Sequence, residues 1–124
     1  MRDQKLWTWH VAAGILVVVL LGLHMVIMHM SRTVGIGNPA GGHPVDWGNV
    51  LARAKSVFFT ITYILLLGAA LFHGLYGFRN IVCEVGPPPG LKKTINALLL
   101  VGGLGLFGLG TWAAIASFQL ASSL

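Results

Sequence analysis

The first apolar run of the chain, residues 6–30, reads LWTWHVAAGILVVVLLGLHMVIMHM and decides the fold. It exceeds the roughly 20 residues that a helix needs to cross a bilayer, and it contains no proline and no acidic residue. It is also longer than the roughly 7–15-residue apolar region of a secretory signal peptide. We therefore expect it to be retained as a membrane-spanning helix.

Two further runs, residues 57–79 and 94–118, are also long and apolar enough to cross a bilayer. Only 9% of the 124 residues are charged, whereas a soluble domain has about 25%. A chain this apolar cannot cover its own surface in water. The sequence predicts an all-α integral membrane protein, one domain over residues 1–124, with three transmembrane helices over about 6–30, 57–79 and 94–118 and the lipid bilayer as its solvent.

The two connections between these runs differ in character. Residues 31–56 begin rich in glycine and proline, and residues 46–55 then resemble a short interfacial helix between the first and second spans. Asp46 is a plausible N-cap for that helix and Trp47 a plausible interface anchor. The second connection contains GPPPG at residues 86–90, which is expected to interrupt any helix.

The basic residues indicate how the chain is oriented. Five of them fall on the side of the N-terminus and second connection, and three on the other: Arg2, Lys5, Arg79, Lys92 and Lys93 against Arg32, Arg53 and Lys55. Basic residues accumulate on the cytoplasmic side, so we expect a multi-pass protein of the cell inner (cytoplasmic) membrane with its N-terminus in the cytoplasm. Because the charges sit at the ends of apolar runs, the net charge of +5 indicates no nucleic-acid partner.

Histidines are the informative polar residues of this chain. His24 and His73 lie well inside predicted spans, where an ionisable residue is costly and marks a functional candidate. Imidazole is a common ligand of haem iron, whereas the single cysteine, Cys83, allows neither a disulfide nor a cysteine-based metal site. Cofactor ligation by His24 and His73 is therefore favoured over simple helix packing, which stays the alternative.

Depth in the membrane separates the two histidines. From the cytoplasmic end, His24 lies about 25 Å along the first span and His73 about 9 Å into the second. They cannot face each other across one iron, so each binds a separate haem or one of them is structural. His10 lies near the depth of His73, which makes a His10–His73 pair a further, lower-ranked possibility. His29 is expected to be a polar helix end and His43 a solvated loop residue.

Glycines and one arginine complete the set of candidates. Residues 73–77, HGLYG, leave space beside the imidazole of His73 for a flat macrocycle. Arg79 is expected to neutralise a haem propionate, to bind a quinone carbonyl or simply to anchor the helix end. In the third span, small residues recur every three positions, which is typical of close helix packing. These are Gly102, Gly105 and Gly108.

Two motifs carry a resemblance to a known family. The second span contains HGLYGFRN, with His73, a glycine four residues on at Gly77 and Arg79 soon after. The first span contains GLHMV around His24, followed by a long loop and a short helix. In these features, and in overall architecture, the chain resembles the cytochrome b membrane anchor subunits of succinate dehydrogenase and fumarate reductase.

The resemblance implies a specific role for each candidate. His73 would ligate the proximal haem b and His24 the distal one, with Gly77 and Arg79 beside them, and a second three-helix anchor subunit would supply the other axial ligands. The quinone, expected to be menaquinone, would bind near the cytoplasmic ends of the first two helices, where the available polar groups are Trp9, His10, Tyr76 and Arg79. Thr8 and His10 stand where some one-haem members have serine and arginine.

The same resemblance implies a subunit of an enzyme rather than an enzyme by itself. An iron–sulfur subunit and a flavoprotein would dock on the cytoplasmic face, and this chain would pass electrons between the iron–sulfur subunit and the quinone pool. Two other functions stay open: a haem-free structural anchor of a respiratory complex, and a small proton-coupled transporter. The transporter is weakened by the lack of acidic residues within the spans. No nucleophile–base or carboxylate pair indicates a hydrolase or transferase.

Overall fold

The computed structural model describes residues 2–30, 33 and 35–124, and every regular element in these ranges is helical. The elements, in chain order, are α1 (Arg2–His29), α2 (Trp47–Ala54), α3 (Val57–Glu84) and α4 (Pro89–Ser123). The all-helical class and the short helix between the first two long ones are confirmed. Helices α1, α3 and α4 are each long and apolar enough to cross a membrane.

Apolar side chains cover the outside of this fold. Among the described residues only Ile27, Ala69 and Ala121 form a buried hydrophobic core, while large apolar side chains such as Val18 and Leu98 are mostly exposed. Soluble monomers rarely present an apolar surface of this extent. The distribution fits a multi-pass membrane protein.

The long helices extend beyond the predicted spans at the second connection. Helix α3 continues past residue 79 to Glu84, and α4 begins at Pro89 rather than at residue 94. Pro89 fits the first helical turn, because the N–H that proline lacks has no intrahelical partner there. Gly86, at φ 75°, makes the turn after α3. The predicted break at residues 86–90 is therefore confirmed, although its non-helical part covers only residues 86–88 of that segment.

Helix α3 lies between the other two long helices, antiparallel to both. Along the α1–α3 contact, His10 lies over Gly77, and Ile27 lies beside Phe59 at the opposite end. Helices α3 and α4 pack closely as well, but α1 and α4 make no close backbone approach within the described ranges. The long helices thus form an open row rather than a closed bundle.

Glycines on α4 do allow close packing, but not the predicted ones. A Cβ added at Gly103 would lie 2.8 Å from a methyl carbon of Leu75, and one added at Gly110 would clash with Leu67. At Gly102, Gly105 and Gly108 an added Cβ would meet nothing within 4 Å. The predicted three-residue stripe therefore faces open space, and the contact with α3 uses the neighbouring face.

The connection between α1 and α3 is ordered by three buried polar side chains. Asn49 is fully buried, Asn38 and Arg53 nearly so. The Asn38 amide donates to the carbonyl of Ile27 near the end of α1, and the Arg53 guanidinium donates to the side-chain oxygen of Asn38. Arg53 also donates to the carbonyls of Gly37 and Pro44. The loop is thereby fixed onto the ends of the helices.

Asp46 stands at the N-cap of α2 as predicted, but its side chain acts differently. The carboxylate accepts a hydrogen bond from the backbone N–H of His43 at 2.9 Å and makes no capping bond to the helix. The Asp46 backbone carbonyl accepts from the N–H groups of Asn49 and Val50 instead. The residue therefore stabilises the loop before the helix rather than the free N–H groups of the helix.

Candidate functional site

His73 projects from α3 toward α1 and is held by the backbone of that helix. Its Nδ1 lies 2.9 Å from the carbonyl oxygen of His10. A carbonyl only accepts, so in the neutral imidazole Nδ1 carries the proton and Nε2 carries the lone pair. Nε2 makes no hydrogen bond to the described residues and is not sealed from the surface. The available nitrogen is thus the one with a free lone pair.

Two glycines make room for the two imidazoles. A Cβ added at Gly14 would lie 2.8 Å from Cε1 of His73, and one added at Gly77 would lie 3.2 Å from Cε1 of His10. At Gly74 an added Cβ would meet nothing within 4 Å. Gly14 on α1 therefore makes room for the His73 ring itself, while the surface at Gly74 is open, and the expectation that residues 73–77 leave space for a macrocycle stays a prediction.

The sequence does contain a signal for this arrangement. His10 and Gly14 have the same four-residue spacing as His73 and Gly77. When two helices run antiparallel, such repeats bring each histidine opposite the glycine of the other helix. Gly14 could have been singled out by this repeat.

His10 lies flat against His73. The ring centroids are 4.1 Å apart and the planes differ by 3°, and the ring centroid of Tyr76 lies 5.3 Å from that of His10. The Nδ1 atom of His10 is buried and has no hydrogen-bond partner among the described residues. Two imidazoles that bind one metal each point a nitrogen at it from about 2 Å. The stacked rings do not have that geometry, so the His10–His73 pair is not arranged as two axial ligands.

His24 lies in a separate region of the α1–α3 contact. Its ring meets that of Tyr63 edge to face, with centroids 6.2 Å apart, beside a cavity of about 10 Å³. A cavity of that size holds one water at most. Tyr63 precedes His73 by ten residues on α3, about 15 Å along the helix. His24 and His73 do not meet, in agreement with the depth argument from the sequence.

Arg79 is held at the end of α3 by two amide oxygens. Its Nε donates to Oδ1 of Asn96 at 2.7 Å, and Nη1 donates to Oδ1 of Asn80 at 3.2 Å. No acidic residue in the described part of the chain pairs with it. Asn96 was not among the predicted residues, although an amide near the start of the third apolar run was a usable signal.

Arg79, Tyr76 and Asn96 form the polar end of a groove of about 770 Å³ between α3 and α4. The rest of its lining is apolar: Leu6, Gly68, Leu71, Phe72, Leu75, Leu99, Leu100, Gly103, Leu104 and Phe107. Pockets of this size with a few polar groups are typical ligand sites. The groove is a second feature that adjoins the histidine contact through Tyr76 and Leu6.

The residues predicted around the quinone do not form one cluster. Tyr76 contacts His10 and also lines the groove with Arg79, whereas Trp9 is exposed on the outside of α1. His29 and His43 are exposed, as expected for a helix end and a solvated loop. Comparison of the chain with protein-family models, with curated proteins and with solved structures gave no match.

Proposed function

We propose that the chain is a haem b-binding membrane anchor subunit of a succinate–quinone oxidoreductase of the succinate dehydrogenase and fumarate reductase type. His73 would hold the iron of one haem and His24 that of a second. One observation carries the proposal: the Nδ1–H of His73 is bound by the His10 carbonyl, and Nε2 stays available. Metal-ligating histidines are oriented in this way, by a hydrogen bond from the second ring nitrogen.

The histidines fit haem only as half-sites. His24 and His73 are separated by about 15 Å along the helices, and His10 is stacked on His73 rather than opposed to it. A haem with two histidine ligands therefore takes the second one from another chain, the expected second three-helix anchor subunit. Haem supplies reversible one-electron transfer, while this chain orients the imidazoles and surrounds them with apolar helices.

The proposal includes a membrane setting and partners. Helices α1, α3 and α4 cross the cytoplasmic membrane with the N-terminus in the cytoplasm, where an iron–sulfur subunit and a flavoprotein dock. A quinone, menaquinone in our proposal, binds near Tyr76 and His10, on the side of α3 that faces α1. The oxidation of succinate or reduction of fumarate belongs to the partner subunits, and this chain passes electrons.

A haem-free structural anchor is the second candidate, and one observation favours it. The His10–His73 stack and hydrogen bond already satisfy part of His73 inside the chain, as a packing role requires. Both functions share the fold and the partners. They differ in whether Nε2 of His73 carries iron.

A reduced-minus-oxidised visible spectrum of the purified complex separates the two functions. We expect His73→Ala and His24→Ala each to remove a distinct part of the b-type absorption. His43→Ala, which changes an exposed loop histidine, should leave the spectrum intact. If only His73→Ala has an effect, there is one haem and His24 is packing. A wild-type complex without haem absorption would leave the haem-free anchor as the function.

A further inference from the structure

The groove between α3 and α4 opens sideways, toward the surroundings of the helices. Leu100 and Leu104 on its α4 wall are 64% and 63% exposed. Its apolar part extends along α3 from Gly68 to Arg79, which is about 16 Å of helix. That is about half of the roughly 30 Å hydrocarbon core of a bilayer, the depth of one leaflet.

Among the described side chains, the polar end of the groove carries positive charge without an acid paired to it. Arg79 donates only to the two amide oxygens of Asn96 and Asn80, so its Nη2 donors have no partner in the described part of the chain. Lys92 and Lys93 are exposed and precede Asn96 by about one helical turn, on the adjoining surface of α4. A ligand with a negatively charged head group is complementary to this end.

We propose that this groove binds an anionic phospholipid of the surrounding bilayer. The phosphate contacts Arg79 at the helix ends, and an acyl chain lies between α3 and α4 along Leu71, Leu75 and Phe107. Basic pockets between membrane helices recognise anionic lipids through this combination of charge and apolar length. A neutral quinone head in the groove would leave the charge of the Arg79 guanidinium uncompensated. An apolar helix of another subunit in the groove would bury that charge without a partner.

The bound lipid has a structural consequence for α4. Helix α4 contacts α3 but not α1, so the groove is the wide part of its only long-helix interface within the described ranges. A lipid that fills the groove adds apolar contacts between the two helices. The site is independent of haem, because neither His24 nor His73 lines it.

Native mass spectrometry of the purified full-length chain, with any copurifying subunits, tests the proposal. The probes are palmitoyl-oleoyl phosphatidylglycerol and the corresponding phosphatidylcholine. We expect the wild type to bind the anionic lipid about fivefold to tenfold more tightly, since each basic residue contributes a favourable interaction with an anionic head group. Arg79→Gln should abolish this preference, and Arg79→Lys should retain most of it.

A matched pair of variants tests the location. Leu100→Trp fills the groove and should lose the bound lipid, whereas Leu98→Trp, at a position 68% exposed on the same helix and outside the groove, should keep it. Equal affinity of the wild type for both lipids overturns the proposal. Equal lipid binding by the two tryptophan variants also overturns it. So does a crosslink between a cysteine placed at residue 100 and a helix of another subunit, since that helix would then occupy the groove. The haem spectrum of each variant is read separately, so failure of one proposal does not imply failure of the other.

Discussion

At the scale of single residues, the imidazole of His73 is controlled by the opposite helix. The carbonyl of His10 fixes which nitrogen carries the proton, and the missing side chain of Gly14 fixes how near the ring can approach α1. A ligand histidine needs its ring plane set before the metal binds, because the second ring nitrogen determines orientation. Gly14 is in this sense a positioning residue for His73.

Replacing Gly14 by alanine should therefore disturb His73 without removing it. The new Cβ would lie 2.8 Å from Cε1 and 3.0 Å from Nδ1 of His73, so the ring has to move. Overpacking of this kind typically costs about 1–3 kcal/mol. We expect a lower thermal midpoint and, if the proposed haem is bound at His73, a shifted midpoint potential of that haem.

The same helix offers a control for this substitution. Gly22 is also on α1, and an added Cβ there would meet nothing within 4 Å. Gly22→Ala should leave both the thermal midpoint and the haem potential near their wild-type values, or raise the midpoint slightly, since alanine favours helix over glycine. Equal effects of Gly14→Ala and Gly22→Ala would show that Gly14 has no positioning role.

At the scale of elements, the loop before α2 depends on Asn49. This side chain accepts from the N–H of Ala40 and donates to the carbonyls of Gly41 and His43. Asn49→Ala would remove three hydrogen bonds to backbone groups, at a total cost of about 1.5–4.5 kcal/mol, since each contributes about 0.5–1.5 kcal/mol net. We expect amide hydrogen exchange to accelerate over residues 35–46.

Val50→Ala is the matched control for this loop, since Val50 is the next residue on α2 and is exposed. Exchange over residues 35–46 should stay slow in that variant. If Asn49→Ala exchanges as slowly as the control, the hydrogen bonds of Asn49 do not hold the loop. The spectrum of the complex is expected to be unchanged in both variants.

The elements also show which structural features the sequence determines by itself. Apolar length predicted α1, α3 and α4, because crossing a bilayer sets a minimum number of apolar residues. Their ends were missed near Pro89, since whether a proline breaks or begins a helix depends on its position in the first turn. Local sequence patterns do not show which face of α4 contacts α3. The glycines at that contact, Gly103 and Gly110, were therefore missed, and the glycines predicted instead face open space.

In the candidate site too, single residues could be predicted from the sequence but contacts between helices could not. His24 and His73 could be identified singly, because an ionisable side chain in an apolar run is conspicuous. The roles of Gly14 and Asn96 depend on how neighbouring antiparallel helices are aligned along their axes. That alignment is known only when the positions of both helices are known. The stacking of His10 on His73 also depends on that alignment. The stacked rings do not have the geometry of two ligands on one metal, which the sequence had left open for this pair.

At the scale of the whole molecule, an open row of helices leaves both histidine half-sites incomplete. Since α1 and α4 do not approach each other in the described ranges, the chain does not close around either His24 or His73. A closed cofactor site therefore has to be completed by a second chain. An open row of this kind fits the proposed anchor subunit better than a self-contained cytochrome.

The orientation of the row in the membrane is the remaining whole-molecule prediction. The start of α1, the end of α3 and the start of α4 lie on one side of the row and carry most of the basic residues. On the other side, Arg53 is only 6% exposed and its guanidinium is engaged by the loop, while Arg32 lies outside the described residues. Arg53 therefore contributes little free charge to its side, which strengthens the five-to-three imbalance of basic residues. Because basic residues accumulate on the cytoplasmic side, we expect the N-terminus in the cytoplasm.

A single cysteine makes this orientation measurable. Cys83→Ser gives a thiol-free background, into which His43→Cys and Gln4→Cys place a thiol at exposed positions on opposite sides. With a membrane-impermeant maleimide, we expect labelling of His43→Cys in intact cells and of Gln4→Cys only after permeabilisation. The reverse pattern would place the polar end of the α3–α4 groove, with Arg79, on the outer side. Soluble iron–sulfur and flavin subunits in the cytoplasm could then no longer dock beside it, whereas the ligand roles of His24 and His73 would stand.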